Sequence, residues 1–445
     1  MIIKKLNWKI VKFKTGIYLG SNIDETSYEN MLSKENVILF ASKVFPERVH
    51  SKYKNKLNYF DENLHQINSE SFDYNLIDCV ISDYNLSLLW SRFHSKFRKK
   101  FRSEILRYEF QLSIIHSSIN FIKKHNLESV YFAYEPHNLS TYIFKKVCMY
   151  LGINSVTMRV SPFVSRLFAV DDYKKTIIEN KKTEAFALES FFKSREFNNS
   201  NNMERSSISI NFPINKSIYH NLTYHKYLFK NLTARDQIFD GDFIIFFLHY
   251  QPELTTLPDG GVFVSQFEAL KVLSKLCKRF NFKLVVRDHP STVRYFNKNW
   301  RNKSFIDKIQ NLGKHVVFDD YRKSNIEILK KCNAVATVTG TVINEGLING
   351  IPVITFGDHP FNAWKGKSIV QFEGSFDRLI SSFKTVLQLK KEDIIKETKN
   401  YLSFASKKSF GGDFLGVEKD SQTSTLWFNR HKAFKDYINS IYNEN

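Results

Sequence analysis

A Thr-Gly-Thr turn between two apolar runs is the part of this sequence best suited to chemistry. Residues 334–338 predict a buried strand, and the helix that follows carries Glu345 in its first turn. Between them lie Thr339, Gly340 and Thr341. A turn of this kind presents free backbone N–H groups and the positive end of the helix dipole to an anion. The segment therefore predicts a phosphate site and, with it, nucleotide chemistry. Glu345 either accepts hydrogen bonds from a ribose or complements the helix dipole.

Polar side chains follow other predicted strands in the same half of the chain. They are Gln251, Glu253, Asp288, His289 and Pro290, with Gly357-Asp358-His359-Pro360 after the last strand. Because ligands bind at the carboxyl ends of parallel strands, these residues predict one cleft. His289 is fixed by Pro290 directly after a strand, and we expect it to donate to a phosphate oxygen or to protonate a leaving group. The alternative is a loop histidine bonded to a backbone carbonyl.

Glu135 and His137 follow a predicted strand in the first half of the chain, within the sequence YEPHN (134–138). A carboxylate or an imidazole facing the second-half cleft across an inter-domain gap would serve as the general base that deprotonates an acceptor hydroxyl. The alternative is a turn before a helix, shaped by Pro136 and Asn138. The choice between Glu135 and His137 as the base stays open.

Apolar runs alternate with helical patterns in both halves, which predicts two parallel α/β layers. In the first half the predicted strands are 36–42, 74–82, 128–134 and 153–160, with helices at 105–125 and 139–152. In the second half the predicted strands are 242–250, 282–290, 314–321, 334–338 and the run after Gly-Ile-Pro, with helices at 264–280, after 321 and beyond 385. Ser265 with Glu268, and Ser324 with Glu327, predict helix caps.

One short motif raises the possibility of a metal site. Asp240-Gly241-Asp242 resembles the metal-chelating Asp-x-Asp of some sugar-transferring enzymes. It precedes its strand, so it lies at the wrong end of the sheet, and a turn is the better interpretation. Nothing else in the sequence clusters like a metal site. We therefore expect no metal and no cofactor.

Three segments carry a family resemblance. The residues HYQPELTTLPDGG (249–261), VRDHP (286–290) and VTGTVINEGLINGIPVITFGD (338–358) occur in the order seen in capsular and surface polysaccharide biosynthesis glycosyltransferases. The set is similar to the group that includes the bacterial capsule Kdo transferases. His289 and Pro290 resemble the His-Pro element that contacts the donor phosphate in bacterial sialyl- and polysialyltransferases. The acidic base motif of those sialyltransferases has no counterpart here, so the resemblance does not favour a CMP-sialic acid donor.

The resemblance implies a GT-B architecture, in which two Rossmann-like domains face each other across a cleft. The nucleotide-sugar donor would be held mainly by the second domain, and transfer would need no metal. The expected divisions are an acceptor-side domain at 1–193, a connection at 194–235, a nucleotide-sugar-binding domain at 236–385, and C-terminal helices at 386–445 that pack back on the first domain.

Composition and charge limit the location and the partners. The chain of 445 residues is 42 % hydrophobic and 25 % charged, as is typical of globular proteins. No run reaches the roughly 18–20 apolar residues of a membrane span, and the N-terminal sequence lacks the apolar core of a signal peptide. We expect a cytoplasmic protein. Its net charge of +20 suits an acidic polymer or the anionic inner face of the plasma membrane, and the sequence contains no nucleic-acid-binding module.

The sequence thus predicts a glycosyltransferase that moves a sugar from a nucleotide-sugar donor to a growing bacterial surface polysaccharide. The acceptor would be an oligosaccharide or polysaccharide, free or lipid-linked, and capsule assembly proteins are the expected protein partners. Two alternatives stay open. One is a sugar-nucleotide epimerase or hydrolase of the same architecture, and the other is a non-catalytic subunit that binds nucleotide-sugar or polysaccharide in an assembly complex.

Overall fold

The chain divides into two compact units. The first unit is Met1–Ala185 with Ala405–Asn445, and the second unit is Phe186–Phe404. The computed structural model describes residues 14–18, 37–44, 57–62, 64, 73–90, 101–132, 135–163, 166–172, 176–178, 241–251, 256–289, 292, 301, 303–319, 325–358, 364 and 366–411. The connection predicted at 194–235 lies outside these residues, as do Ser324 and His359.

The first unit is built on a mostly parallel sheet. Its strands are β1 (Lys14–Tyr18), β2 (Val37–Ala41), β3 (Asn58–Tyr59), β4 (Leu127–Phe132), β5 (Asn154–Val160), β6 (Arg166–Asp171) and β7 (Thr176–Ile177), joined later by β14 (Ser409–Gly411). Its helices are α1 (Tyr74–Ile81), α2 (Tyr84–Leu89), α3 (Glu104–His125) and α4 (Leu139–Tyr150). The spatial order is β14-β6-β5-β4-β1-β2-β3, with β7 beside β6.

Strands β1 to β5 of this sheet are parallel, and β6 runs antiparallel to β5. The order β3-β2-β1-β4-β5 reverses between β1 and β4, so the carboxyl end of β4 lies at a switch point of the sheet. Aromatic rings fill the space between sheet and helices. Phe144 of α4 packs on Phe40 and Phe60, with ring centroids 4.9 and 4.7 Å apart.

The strand predicted at 74–82 is wrong, because residues Tyr74–Ile81 form α1. Asp73 caps the helix, and its side chain accepts a hydrogen bond from the amide of Leu76. Leu76 and Val80 are the buried side chains, and their spacing of four residues fits a helix rather than the alternation of a strand. The run is apolar enough to resemble a buried strand, and the Asp cap is the signal that decides otherwise.

The second unit contains a sheet of six strands that are all parallel. They are β8 (Phe243–Phe247), β9 (Lys283–Arg287), β10 (Val316–Asp319), β11 (Ala334–Thr337), β12 (Val353–Thr355) and β13 (Ile369–Gln371). The helices are α5 (Gln266–Phe280), α6 (Lys303–Gln310), α7 (Asn325–Leu329), α8 (Val342–Ile348), α9 (Phe376–Leu387) and α10 (Lys391–Lys408), and a 3-10 turn spans Gly261–Val264. The spatial order β10-β9-β8-β11-β12-β13 is that of a Rossmann fold.

Helix α5 shows how this sheet is covered. Leu270, Leu273 and Cys277 recur every three or four residues and are fully buried in the core of the unit. The helix ends at Asn281, which adopts a left-handed conformation with φ 56°. Ser265 is the N-cap as predicted, but its side chain makes no capping bond, so the predicted capping box is wrong. Glu268 pairs instead with a lysine on the next turn.

The C-terminal part of the chain returns to the first unit. Helix α9 lies in the second unit, and α10 begins there and ends in the first. Strand β14 then pairs antiparallel with β6, and the Arg166 Nε atom donates to Ser409 Oγ at 2.7 Å. The prediction of two Rossmann-like α/β domains with a returning C-terminal segment is confirmed. Among the helices that the structure describes, none is long and apolar enough to cross a bilayer.

Candidate functional site

The order of the second sheet marks where a ligand site belongs. The strand order reverses between β8 and β11, which are neighbours in the sheet. In open α/β sheets ligands bind beyond the carboxyl ends of the strands at this switch point. The residues that follow the two strands are His249 and the turn Thr339-Gly340-Thr341. The Thr-Gly-Thr turn predicted to bind phosphate therefore lies at the switch point.

His249 joins the two strand ends. Its Nε2 atom accepts a hydrogen bond from the amide of Thr339 at 3.1 Å and lies 3.0 Å from the Thr337 hydroxyl. An Nε2 atom that accepts a hydrogen bond carries no proton, so the proton of the neutral ring is on Nδ1. Burial lowers the pKa of His249 to about 3, and the positive charges of His289 in its protonated form and of Arg301 add to this effect. His249 is therefore a neutral, internal support of the turn.

This arrangement changes which amides the turn offers to a phosphate. The amide of Thr339 is used by His249, and the amide of Gly340 donates to the Thr337 hydroxyl at 3.2 Å. The first N–H groups of a helix have no partner within it. A phosphate at this turn would therefore be bound through the amides of Thr341 and Val342, together with the exposed Thr341 hydroxyl.

Arg301 ties three polar groups together beneath the strand ends. Its guanidinium donates to the carbonyl of His249 at 2.7 Å, to Oε1 of Gln251 at 2.7 Å and to Oδ1 of Asp288 at 3.3 Å. The planar fork of arginine suits several acceptors at once. Its face also lies 4.6 Å from the ring centre of Phe305. Only 1 % of Arg301 is exposed, so the guanidinium acts inside the protein.

We expect the substitution Arg301→Met to lower the free energy of unfolding by about 3–5 kcal/mol, because it leaves the buried carboxylate of Asp288 without its cation. The acceptors on His249 and Gln251 lose a donor as well. Chemical denaturation followed by circular dichroism measures the change.

Arg378→Met is the matched control for this substitution. Arg378 is 77 % exposed on its side chain and pairs with Glu373 at a distance of 3.8 Å. Exposed ion pairs contribute little, so we expect a change within about 0.5 kcal/mol. Equal effects of the two substitutions would contradict the structural role assigned to Arg301.

Asp288 in turn holds the loop that carries His289. Its Oδ1 atom accepts hydrogen bonds from the amide of His289 at 2.7 Å and from the Thr292 hydroxyl at 3.2 Å. The His289 side chain is half-buried. Burial lowers the pKa of His289, and the Arg301 cation adds to this effect while Asp288 opposes it. The imidazole is therefore neutral at pH 7 and has an N–H to donate.

The residues that follow β12 pack against the same turn. The amide of Gly357, after β12, donates to the carbonyl of Val338 at 2.9 Å, and the amide of Asp358 donates to the carbonyl of Asp259 at 2.8 Å. A Cβ atom on Gly357 would clash with Thr339 and would lie 2.8 Å from the Asp259 carbonyl oxygen. Glycine is required here because two backbone segments approach each other too closely for a side chain.

Glu345 is held in place by a second polar network, which is partly buried. Its Oε2 atom accepts a hydrogen bond from Asn325 Nδ2 at 3.2 Å, and Asn325 Oδ1 accepts one from Arg287 at 2.7 Å. Arg287 also forms a buried ion pair with Asp319. The ends of β9 and β10 and the starts of α7 and α8 are thereby connected. Glu345 is half-buried, so its carboxylate has a fixed direction at the edge of the switch point.

Glu135 lies in a buried ion network of the first unit, at the switch point after β4. Its Oε1 atom is 2.7 Å from Lys145 Nζ, which is also 2.8 Å from Asp172 Oδ1. Burial raises the pKa of Glu135, but the cations of Lys145 and Arg159 outweigh this and hold the pKa below its ordinary value. Glu135 is therefore ionised at neutral pH and only weakly basic.

His137 is half-buried and next to this network. Its Nδ1 atom lies 3.1 Å from the backbone carbonyl of Glu135. A carbonyl oxygen only accepts, so Nδ1 carries the proton and the lone pair of the neutral ring is on Nε2. This is the tautomer that a histidine base needs.

The structure brings together most of the residues that the sequence predicts for the donor side. These are Gln251, Asp288, His289, Thr339, Gly340 and Thr341, with Glu345 nearby on α8; Glu253 and Pro290 lie outside the described residues. Gln251 is buried, and both atoms of its amide are engaged, by Arg301 and by the carbonyl of Val264. Its predicted contact with the donor, like the other assigned roles, stays a prediction.

Sequence reasoning missed Arg301, Gln266 and Asn325. Gln266 donates to the carbonyl of His249 at 3.1 Å and accepts from its amide at 2.7 Å. Arg301 follows Asp288 by thirteen positions in a polar stretch without a motif, so no spacing pointed to it. Within the part of the chain that the structure describes, no group of three or more His, Cys, Asp and Glu side chains gathers as a metal site would.

One known family model matches the part of the chain that contains these residues. Residues 172–366, a little under half of the chain, match the family model described as capsule polysaccharide biosynthesis protein. The matched residues include β8 to β12, Arg301 and the Thr-Gly-Thr turn. The match confirms, over these residues, the resemblance to capsule polysaccharide biosynthesis proteins inferred from the sequence.

Solved structures give weaker likenesses. A UDP-GlcNAc 2-epimerase of Methanocaldococcus jannaschii is 13% identical, with 88% of this chain and 100% of that chain covered and a TM-score of 0.28. KpsC, a β-Kdo 2,7 transferase of Thermosulfurimonas dismutans, is 11% identical, with 64% and 90% covered and a TM-score of 0.29. At such values the likeness carries nothing about a site or a reaction. A search among curated protein sequences finds no significant match.

Proposed function

We propose that the chain is a glycosyltransferase that moves a sugar from a nucleotide-sugar donor to a growing bacterial surface polysaccharide. The match of residues 172–366 to the capsule polysaccharide biosynthesis family model supports the biological context. The observation that carries the reaction is the placement of His289 and the Thr-Gly-Thr turn at the carboxyl edge of a Rossmann-type sheet, around its switch point.

The donor half of the reaction needs stabilisation of negative charge. When the bond between the sugar and the nucleotide breaks, charge grows on the phosphate that leaves. Hydrogen-bond donors held rigidly at that place stabilise this charge more in the transition state than in the bound substrate. The neutral His289 imidazole and the amides of Thr341 and Val342 are the donors proposed for this role. Glu345 is proposed as an acceptor for ribose hydroxyl groups.

The acceptor half of the reaction needs a base. A hydroxyl group of the acceptor must lose its proton as its oxygen bonds to the anomeric carbon of the donor sugar. Glu135 and His137 remain the two candidates. The bond between His137 Nδ1 and the Glu135 carbonyl favours His137, since it leaves the lone pair on Nε2. The lowered pKa of Glu135 makes it the weaker base of the two.

A panel of nucleotide-sugars tests the reaction class. The purified protein is incubated with each donor, with and without polysaccharide fragments, and the released nucleotide is measured. Release that requires an acceptor supports the transferase. Turnover without an acceptor would make the chain an epimerase or hydrolase, and binding without turnover would make it a non-catalytic subunit. We propose that transfer needs no metal ion, so EDTA should leave the rate unchanged.

The location and partners are proposed on electrostatic grounds. Lys and Arg number 65 against 45 Asp and Glu, which gives the net charge of +20. Such a charge attracts an acidic polysaccharide acceptor, and it also attracts anionic lipids of the inner leaflet. A peripheral position on the cytoplasmic face of the plasma membrane fits this charge and would place the protein next to lipid-linked acceptors and capsule assembly proteins.

A further inference from the structure

A lysine lies buried between two carboxylates in the first unit. Lys145, on α4, contacts Glu135 and Asp172 at 2.7 and 2.8 Å, and only 10% of its side chain is exposed. The hydroxyl groups of Ser155 and Thr157, on β5, donate to the other oxygen of Asp172 at 2.7 and 2.8 Å. The network therefore fastens α4 to the sheet through Asp172 and to the turn after β4 through Glu135.

A gain in the stability of the fold does not by itself account for such a network of buried charges. Charged groups lose hydration when they are buried, and well-packed apolar residues in their place are often as stable or more stable. Burial lowers the pKa of Lys145, but Asp172 and Glu135 outweigh this and raise it. Lys145 is therefore charged, and the ion pairs hold their partners in fixed directions.

The turn that this network holds is the one that carries His137. At its end, Asn138 caps α4, and its side chain accepts from the amide of Thr141 at 3.0 Å. At its start, Glu135 is bound by Lys145, which lies farther along the same helix. Between them, the carbonyl of Glu135 accepts the Nδ1 proton of His137. Both ends of the turn are thus fixed to α4, and the imidazole is fixed to the turn.

We propose that Lys145 and Asp172 are positioning residues that hold the Glu135 carbonyl against His137 Nδ1 and so keep the Nε2 lone pair of His137 directed at its substrate. The inference rests on the proposed function, since it takes His137 as the base. Lys145 touches no reacting atom in this scheme. It acts through Glu135, whose side chain is a fastening point rather than a proton acceptor.

The test compares Lys145→Met with Lys146→Met in the full chain. Lys146 is the next residue of α4 and pairs with Asp83 at 2.6 Å, apart from the His137 turn. Two-dimensional NMR of protein labelled with 15N-histidine reports the tautomer of His137, whose signals are assigned by their loss in His137→Gln. We expect the Nδ1–H tautomer in the unsubstituted protein and in Lys146→Met. In Lys145→Met we expect a mixture of tautomers and a fall in kcat of about 10²-fold, with KM little changed.

The two readouts separate the positioning role from the base role. If Lys145→Met keeps both the tautomer and kcat, the positioning role is refuted. If the tautomer changes and kcat does not, Lys145 positions His137 as inferred, and the assignment of His137 as the base is refuted. Should Lys145→Met fail to fold, Asp172→Asn decides by the same measurements, because it removes one of the two charges that hold Lys145. An unchanged tautomer and kcat in Asp172→Asn would then overturn the proposal.

Discussion

Replacing His289 by alanine is expected to lower kcat for glycosyl transfer by about 10²–10³-fold, with a smaller effect on KM. The proposed interaction is with charge that grows on the leaving phosphate, so its loss weakens the transition state more than the bound donor. Steady-state kinetics with the donor identified from the panel measure both constants. A His289→Ala protein with full activity would refute the assignment of His289 to the phosphate.

His315→Ala is the control for this substitution. His315 belongs to the same unit and is also half-buried, and burial lowers its pKa too. Its Nε2 atom lies 2.9 Å from the Ser274 hydroxyl. The residue precedes β10, so it lies at the edge of the sheet opposite to the site. We expect His315→Ala to keep kcat, which would show that loss of a half-buried imidazole alone does not impair transfer.

The lowered pKa of His289 sets the pH range over which the effect of this substitution should stay the same. Because burial lowers that pKa, the neutral ring persists to lower pH than in a free histidine, whose pKa is about 6.5. The ratio of kcat between the unsubstituted protein and His289→Ala should therefore stay constant from pH 8 down to about pH 7, and it should begin to change only below the ordinary pKa of histidine. The neutral ring also favours a hydrogen bond to phosphate over the other role considered for His289, protonation of the leaving group.

The switch-point site was largely predictable because its signals are local. A parallel strand followed by His, Asp, Thr or Gly needs only the sequence around it, and the sheet brings such strand ends together. The strand at 283–287 with Asp288 and His289 after it, and the strand at 334–337 before Thr339, lie within the predicted runs. The gathering of these ends around β8 follows from the strand order, which a single sequence does not reveal.

The residues that support the site were not predictable, because their contacts join positions that are distant in the sequence. Arg301 reaches His249 and Asp288 from 52 and 13 positions away, and nothing in the polar sequence around it fixes that reach. His249 shows a related difficulty. The sequence shows only that His249 lies at the end of a predicted strand, at the start of the segment 249–261. In the structure its Nε2 atom accepts a hydrogen bond from the amide of Thr339. Whether a strand-end side chain faces a ligand or its own neighbours depends on long-range packing.

The turn after β4 was predictable from the sequence only in part. Pro136 and Asn138 indicated a helix start, and Asn138 does cap α4. The sequence does not choose between Glu135 and His137 as the general base, since a carboxylate and an imidazole are equally suited to that role on residue type alone. In the structure Lys145 pairs with the Glu135 carboxylate, and His137 Nδ1 contacts the Glu135 carbonyl. These contacts favour His137 as the proposed base.

The second large effect is expected at this turn. His137→Gln should lower kcat by about 10²–10⁴-fold, because the acceptor hydroxyl would lose its base. Glu135→Gln removes the partner of Lys145 and should lower kcat less, by disordering the turn. If His137 is the base, the activity of the unsubstituted protein falls at low pH as the imidazole gains a proton. This fall, the acid limb of the pH profile, should be missing from the residual activity of His137→Gln. Kinetics from pH 5 to pH 9 measure this.

A different profile would identify Glu135 as the base. Its pKa is held below the ordinary value, so its acid limb would lie below about pH 4.5, and activity would be flat near neutrality. Glu135→Gln would then abolish transfer while His137→Gln kept most of it. Glu128→Gln is the control for the carboxylate substitution, because Glu128 is exposed on the adjoining strand β4. We expect it to keep kcat and the pH profile, since it lies outside the turn that carries the base.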